Sequence, residues 1–315
     1  MPVRVGILAD PFDPVCLSHV DACRAALSSG LADQAVLVLS GSGSGAVSAD
    51  DRWRMLCAAA ACSKQLVPLR LPPKADPGDP DRVLRFVRKK VPDADPFFLP
   101  DVIPGERCPS VQEYCALKEL YGAVPRLVGA GPWVDQLFEA LNPHRFAHSL
   151  AVARTSVELA LRYGIDPVKA EEAGLLHDCA KCLPLSDMQK IVKKHRMTDD
   201  PDLLASAALL HSLAGACVAQ DAYGVQDPEI LDAIAYHNTG HAGMSPLAMC
   251  VCLADFIEPN RDPFPLLEDV RRLSETSLEK ALLLSLEGVA SHVASKGKKL
   301  HPRTLNTIAW LKAEF

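Results

Sequence analysis

Residues Tyr163 to Lys181 read YGIDPVKAEEAGLLHDCAK, and Cys182 follows. Asp166-Pro167 is a helix start: the aspartate supplies an N-cap and the proline has the fixed φ suited to the first helical position. The closing part, AGLLHDCAKC, admits three readings. His177-Asp178 is a metal-ligand pair, Cys179 and Cys182 form a C-x-x-C with redox potential, or the whole is an ordinary buried helix.

The same start signal recurs outward from this stretch. Asp200-Pro201, Asp227-Pro228 and Ser245-Pro246 each open a segment with apolar residues at helical spacing. One such segment carries Leu203, Leu204, Ala207, Ala208, Leu210 and Leu213. A helix over Arg145 to Arg162 precedes them, and more follow between Pro265 and Phe315. This predicts at least five helices and an all-α bundle. Residues before about 135 read differently. Val3 to Leu8 and AVLVL (Ala35 to Leu39) are short apolar runs separated by a helical stretch, Val20 to Ser29. That pattern predicts buried parallel strands in a βαβ unit. SGSGSGAVS (Ser40 to Ser48) and PPKADPGDPD (Pro72 to Asp81) read as loops, and FFLPDVI (Phe97 to Ile103) as a further strand. The expected organisation is two domains, 1–135 and 136–315. The boundary lies near GAGPWVDQLFEALNPHR.

Composition limits the function classes. The chain has 315 residues, 49% hydrophobic and 23% charged, with net charge -6. Nothing in that balance favours nucleic acid or a membrane as partner. No apolar run approaches the ~20 residues of a membrane span. MPVRVGILADPFDP lacks a signal-peptide hydrophobic region, so the protein reads as cytoplasmic. Its 11 cysteines are odd in number and scattered, against a disulfide framework. The sequence leaves homodimerisation open.

The histidines carry the functional signal. Eight of the 10 lie between His144 and His292. His148, His177 with Asp178, His211, His237 and Asp255 each fall within or at the end of an apolar helical stretch. A single histidine on an apolar face is most often a hydrogen-bonded core residue. Six ligand-type residues on five successive helices are a different matter, because burying them unpaired is costly and convergence on metal removes that cost. Imidazole and carboxylate suit divalent Fe, Mn, Zn or Co, and the absence of cysteine from the set argues against a closed structural zinc site. Neighbouring helical residues point about 100° apart. One ion uses both His177 and Asp178 only at a distorted or terminal turn; otherwise two ions share them. Six ligands favour a two-metal site.

The order His148, His177-Asp178, Asp255 resembles the H…HD…D signature of the HD-domain metal-dependent phosphohydrolases. RFAHSLAVA, YGIDPVKAEEAGLLHDCAK, LLHSLAGA, DPEILDAIAYHNTGHAGMS and LADFIEPNRD extend the likeness to the branch that cleaves diadenosine tetraphosphate (Ap4A) symmetrically. It covers about Leu141 to Pro263. The resemblance implies an HD-domain helical bundle, cleavage of Ap4A into two ADP, and a di-iron-type centre; Mn and Co suit the same ligands. It implies His148, His177, Asp178, His211, His237 and Asp255 as metal ligands. Asn238 and His241 depart from residues frequent in the family, which bears on substrate contacts rather than metal.

Within that reading, Asp178 also orients or deprotonates the nucleophile. Lys181, one turn after His177, is a candidate catalytic cation toward phosphate. Arg145 and Arg261 flank ligand-bearing segments and are candidates for the polyphosphate, as are Thr239 and Gly240 in HNTGH. For the three cations, solvated surface charge is the competing reading. Glu258 reads as orienting a basic residue, and His241 as an additional ligand only at a stretch. The C-x-x-C reads as the packed end of a ligand-bearing helix, and Cys250 and Cys252 as core.

GILADPFDPVCLSHV (Gly6 to Val20) resembles the opening of nicotinate-nucleotide adenylyltransferases, roughly G-G-T-F-D-P-x-H-x-G-H. Phe12, Asp13, Pro14 and His19 match, and DDRWRML (Asp50 to Leu56) is similar to the helix after the second strand. Ala9 and Asp10 replace two glycines, Cys16 a histidine and Ser18 a glycine. Glycines there let the backbone approach phosphate. The resemblance implies an α/β Rossmann-like nucleotidyltransferase fold that has lost its catalytic set and is inactive or only nucleotide-binding. Two alternatives to Ap4A hydrolysis stay open: an HD phosphohydrolase acting on another nucleotide, and a nucleotide-sensing regulator that binds without cleaving.

Overall fold

A computed structural model describes residues 2–40, 47–72, 79–100, 102, 104–123 and 131–315. The chain divides into two compact units, Met1–Arg126 and Leu127–Phe315.

The first unit is α/β. Strands β1 (Val3–Asp10), β2 (Gln34–Leu39), β3 (Leu66–Arg70) and β4 (Ala94–Phe98) form one parallel sheet in the order β3-β2-β1-β4. That is the order of the first half of a Rossmann sheet. Helices α1 (Leu17–Ser28), α2 (Ala49–Ala60), α3 (Pro80–Lys90) and α4 (Pro109–Leu117) join or follow the strands. Gly6 to Asp10 of β1 pair with Ala35 to Leu39 of β2, and Val3 to Ile7 with Ala94 to Phe98 of β4. Val5, Ile7, Val36 and Val38 pack on one face with Val83 and Val87 of α3. Strand alternation sends Leu37 and Leu39 to the other face.

The two edge strands differ from expectation. LVPLR forms β3 although it reads poorly as a strand, and β4 is ADPFF, starting three residues before FFLPDVI and ending at Phe98. Each carries a proline, Pro68 and Pro96, and a residue without an N–H is tolerated at a sheet edge. Of the two sequence-predicted loops, residues 41–46 and 73–78 lie outside the described residues. The second loop also ends earlier than expected, because Asp79 caps α3 from Pro80.

The second unit is helical. It comprises α5 (Gly131–Ala140), α6 (Pro143–Tyr163), α7 (Pro167–Leu176), α8 (Leu185–Lys194), α9 (Pro201–Leu204), α10 (Ala207–Tyr223), α11 (Pro228–Tyr236), α12 (Pro246–Ile257), α13 (Pro265–Leu273), α14 (Leu278–Ser295) and α15 (Pro302–Glu314). Each predicted cap is formed. Asp166 accepts from the N–H groups of Val168 and Lys169, Asp200 from Asp202 and Leu203, Asp227 from Glu229, and Ser245 from Ala248. Asn142-Pro143 starts α6 in the same way. The segment opened by Asp200-Pro201 is not one helix: α9 stops at Leu204, and the extended backbone of Ser206 restarts the chain as α10. Among the described residues no helix is long and apolar enough to cross a membrane.

Helices α6 and α7 approach closely at Gly174. A Cβ there would lie 2.7 Å from Ser156 Oγ and 3.0 Å from the Cα of Ala153. The hydroxyl can turn away, but the backbone cannot. Gly174→Ala is therefore expected to destabilise the helical unit by about 1–3 kcal/mol, read as a lower midpoint in thermal or urea unfolding.

Candidate metal centre

Two of the histidines sit where helices end. His177 is the C-cap of α7 and His237 the C-cap of α11. The last carbonyls of a helix have no intrahelical donor. Here the ring supplies it: His177 Nδ1 donates to Gly174 O at 2.7 Å, and His237 Nδ1 to Ile234 O at 2.8 Å. A carbonyl only accepts, so Nδ1 must hold the proton. Burial then lowers the pKa of both rings, and the adjoining rings of His177 and His211 disfavour a charge on His237 further. Both are neutral, with the Nε2 lone pair free.

His148 lies within α6, His211 within α10 and Asp255 within α12. The four rings run edge-to-face. Centroids are 5.2 Å apart for His148 and His177, 4.9 Å for His177 and His237, and 5.1 Å for His237 and His211. Their Nε2 atoms converge. His148 and His177 approach to 3.3 Å, and His211 and His237 to 3.1 Å. Asp178 joins the two pairs. Its Oδ2 lies 3.9 Å from His148 Nε2 and 3.7 Å from His177 Nε2; its Oδ1 lies 3.1 Å from His211 Nε2 and 3.7 Å from His237 Nε2. Asp255 Oδ1 is 3.0 Å from His148 Nε2.

The structure thus brings all six sequence-predicted ligands together. Among the described residues, two groups can hold an ion: His148, His177 and Asp255, and His177, Asp178 and His237. They share His177. His177 and Asp178 lie on a turn beyond α7, the terminal geometry that lets adjacent residues serve one pocket. The donor set fits a metal. Neutral imidazole lone pairs directed at one another repel unless a cation lies between them, and atoms bound to one ion at ~2.1 Å sit about 3 Å apart. Asp178 and Asp255 are ionised. Burial works against that, but for Asp178 the hydrogen bond with His211 and the charge of Lys181 prevail, and for Asp255 the hydrogen bond from His148 and the charge of Arg261. Both carboxylates are held well below the ordinary range.

Three cations line the same place. Arg145 Nη1 is 3.0 Å from Asp178 Oδ2. Lys181 Nζ is 3.4 Å from Asp178 Oδ1 and 2.9 Å from His211 Nε2. Arg261 Nη2 donates to Asp255 Oδ1 at 2.6 Å. These are pocket charges rather than free surface. Thr239 and Gly240 are not brought there by any contact. Thr239 is buried, its hydroxyl donates to Gly240 O, and its carbonyl accepts from Thr307 of α15. A Cβ on Gly240 would lie 2.5 Å from Thr307 Cγ2. In this structure both pack the turn after His237 against α15. His241 faces Asp232 at 3.1 Å instead of the cluster. Cys179 is buried, with its thiol pushed up by burial, and Cys182 is exposed; both are free. Of the C-x-x-C, Cys179 packs into the core as expected and Cys182 does not.

Glu258 is the basic-residue partner anticipated from the sequence, and its partner is a ligand-type histidine. Its Oε1 is 3.1 Å from His148 Nδ1, and its Oε2 accepts from the N–H of Asn260. A carboxylate behind the distal nitrogen orients a ligating ring. The two backbone acceptors, Gly174 O and Ile234 O, were not foreseen. The available signal was a histidine directly after the last turn of a helix.

Burial disfavours charge on His148, but hydrogen bonds to Asp255 and Glu258 outweigh it and push the pKa up to about 9. A group raised in the folded state stabilises fully below its unfolded value, and that contribution fades as pH rises from about 6.5 toward 9. The same proton competes with metal for Nε2. Affinity for added Mn2+ should therefore rise between pH 7 and 9. Glu258→Gln should flatten the rise, as followed by titration calorimetry.

The HD-domain family profile matches residues 145–260. The chain is 40% identical over 173 residues to the symmetrical bis(5'-nucleosyl)-tetraphosphatase of Bacillus subtilis, covering 55% of this chain and 92% of that one. It is 33% identical over 166 residues to a probable nicotinate-nucleotide adenylyltransferase/Ap4A hydrolase of Mycoplasma genitalium, covering 51% of this chain and 46% of the relative. A crystal structure of a predicted HD superfamily hydrolase involved in NAD metabolism, from Clostridium acetobutylicum, matches with a TM-score of 0.58 and 35% identity. That match covers 60% of this chain and all of the other. With four ligand-type histidines and two aspartates gathered in one pocket, and with that breadth of likeness, the chain belongs to the HD-domain family of symmetrical bis(5'-nucleosyl)-tetraphosphatases.

Proposed function

We propose that the helical unit hydrolyses Ap4A symmetrically to two ADP, with a di-iron centre held by His148, His177, Asp178, His211, His237 and Asp255. The observation that carries this reading is the placement of Asp178, whose two oxygens face two different histidine pairs. Divalent ions bound there supply Lewis-acid polarisation of phosphoryl oxygens and a hydroxide source near neutral pH. The chain's own residues do the rest. Asp178, kept ionised, orients the attacking water. Glu258 fixes the His148 ring. Arg145, Lys181 and Arg261 turn from their carboxylate partners to the polyphosphate, the arginines by their two-pronged fork.

The charges support the substrate class. Arg145, Lys181 and Arg261 balance Asp178, Asp255 and Glu258 within the pocket. Two divalent ions then leave four positive charges, against one negative charge on each of the four phosphates of Ap4A. A nucleoside monophosphate offers too little charge to match.

The first unit we read as a nucleotidyltransferase-like fold without transferase activity. His19 is buried, its Nδ1 accepts from the N–H of Cys16, and its Nε2 has no hydrogen-bond partner. Burial lowers its pKa, so it carries no charge for a phosphate. Asp10, in place of a glycine, accepts from the N–H of Phe12. That puts a negative side chain on a loop whose amides would otherwise meet an anion.

Iron- or manganese-loaded protein should convert Ap4A to ADP alone; ATP plus AMP as products would rule out symmetrical cleavage. Asp178→Ala should lower turnover more than about 100-fold, since even partners behind the ligands are worth 10–100-fold. The full chain should form no dinucleotide from ATP and nicotinate mononucleotide, as measured by chromatography.

A further inference from the structure

Beside the metal centre, α12, α13 and α14 enclose a cavity of about 600 Å3. That lies within the roughly 300–1,000 Å3 range of small-ligand pockets. Its walls are Phe256, Phe264, Leu266 and Val289, with His292 and Arg261 among the polar residues. The two phenylalanine rings meet edge-to-face with centroids 5.6 Å apart. Phe264 is left 38% exposed, so the fold does not use its whole ring. Arg261 belongs to both places: it lines the cavity, and its guanidinium holds the side chain and carbonyl of Asp255. Phe256 is the next residue after Asp255 on α12. A chain of phosphates leaving the cluster past Arg261 therefore arrives at an aromatic, mostly apolar pocket.

We propose that this cavity is a nucleoside subsite that holds one adenosine of the substrate, the base lying against Phe264 and Phe256. The assignment rests on the proposed Ap4A hydrolysis, and it adds where and by what residues the nucleoside is recognised. Flat aromatic heterocycles stack on such rings with little dependence on hydrogen bonding. Arg261 divides the substrate: its fork meets the phosphate nearest the nucleoside, and the cavity takes the ribose and the base. The exposed imidazole of His292 offers a donor or acceptor to the base edge. None of the apolar wall residues Phe264, Leu266 and Val289 touches the proposed metal ligands' polar atoms or the phosphates, so their loss alters binding of the nucleoside end and leaves phosphate chemistry in place.

The test compares two probes on the full-length, manganese-loaded protein by calorimetry: ADP, and inorganic pyrophosphate, which lacks the nucleoside. Phe264→Ala removes the stacking ring at an exposed position, and Val289→Trp fills the cavity. Each is expected to weaken ADP binding roughly tenfold or more, with pyrophosphate binding within about twofold of wild type. In the Ap4A assay the same variants should raise KM with kcat little changed. Unchanged ADP affinity in both variants overturns the subsite, as does an equal loss of both probes, or wild-type protein that binds pyrophosphate but not ADP. Wild-type protein that binds ADP yet fails to cleave Ap4A overturns the proposed function instead, and the two failures are told apart.

Discussion

A buried carboxylate needs nearby positive charge or hydrogen-bond donors, and Asp178, 1% exposed, is that carboxylate here. Four imidazoles, Arg145 and Lys181 all lie within 4 Å of its oxygens or of one another. A charge this deep would be costly alone, so the surrounding helices are placed to answer it. Helix α7 must stop at Leu176 so that His177 and Asp178 fall on a turn and face one pocket. Gly174 lets α7 lie against α6, which brings His148 within reach. The free carbonyls at the ends of α7 and α11 fix the histidine tautomers. The end of a helix, usually a place where polar groups go begging, becomes the device that aims two lone pairs inward.

The two units use their polar groups in opposite ways. In the helical unit, side chains of opposite charge are held at close range and remain partly accessible. In the α/β unit the corresponding residues are closed off: Tyr121 donates to Asp13, Tyr114 to Asp51, and Arg52 to the carbonyl of Pro11. Phe12 stands edge-on to His19 with centroids 5.2 Å apart. These contacts knit the loop after β1 to its neighbours. In this unit the polar side chains around that loop serve packing.

Much of this was legible in the residues. Asx-Pro and Ser-Pro starts are local signals with a local physical cause, so every one marked a real helix. The six ligand-type residues were visible because charge within an apolar periodicity demands a partner, whichever residues supply it. Strands β1 and β2 are buried on both faces and show as unbroken apolar runs. The edges were harder. LVPLR and ADPFF carry prolines that a central strand would reject, and only their position in the sheet makes them admissible. The break between α9 and α10 leaves no mark in hydrophobic spacing, because both sides bury the same kind of residue. The contact of Thr239 and Gly240 with Thr307 was hidden for a related reason: the partner is distant in sequence, and a threonine-glycine turn carries no mark of the helix it meets.

That last contact sets a limit on how small the working part can be. The HD-domain profile ends at residue 260, yet the turn after His237 is held by Thr307, with Gly240 at φ +62 pressed against it. The segment that profile covers is therefore shorter than the segment that keeps it in tune. A fragment trimmed to residues 145–260 would retain all six ligand-type residues and lose the brace behind one of them.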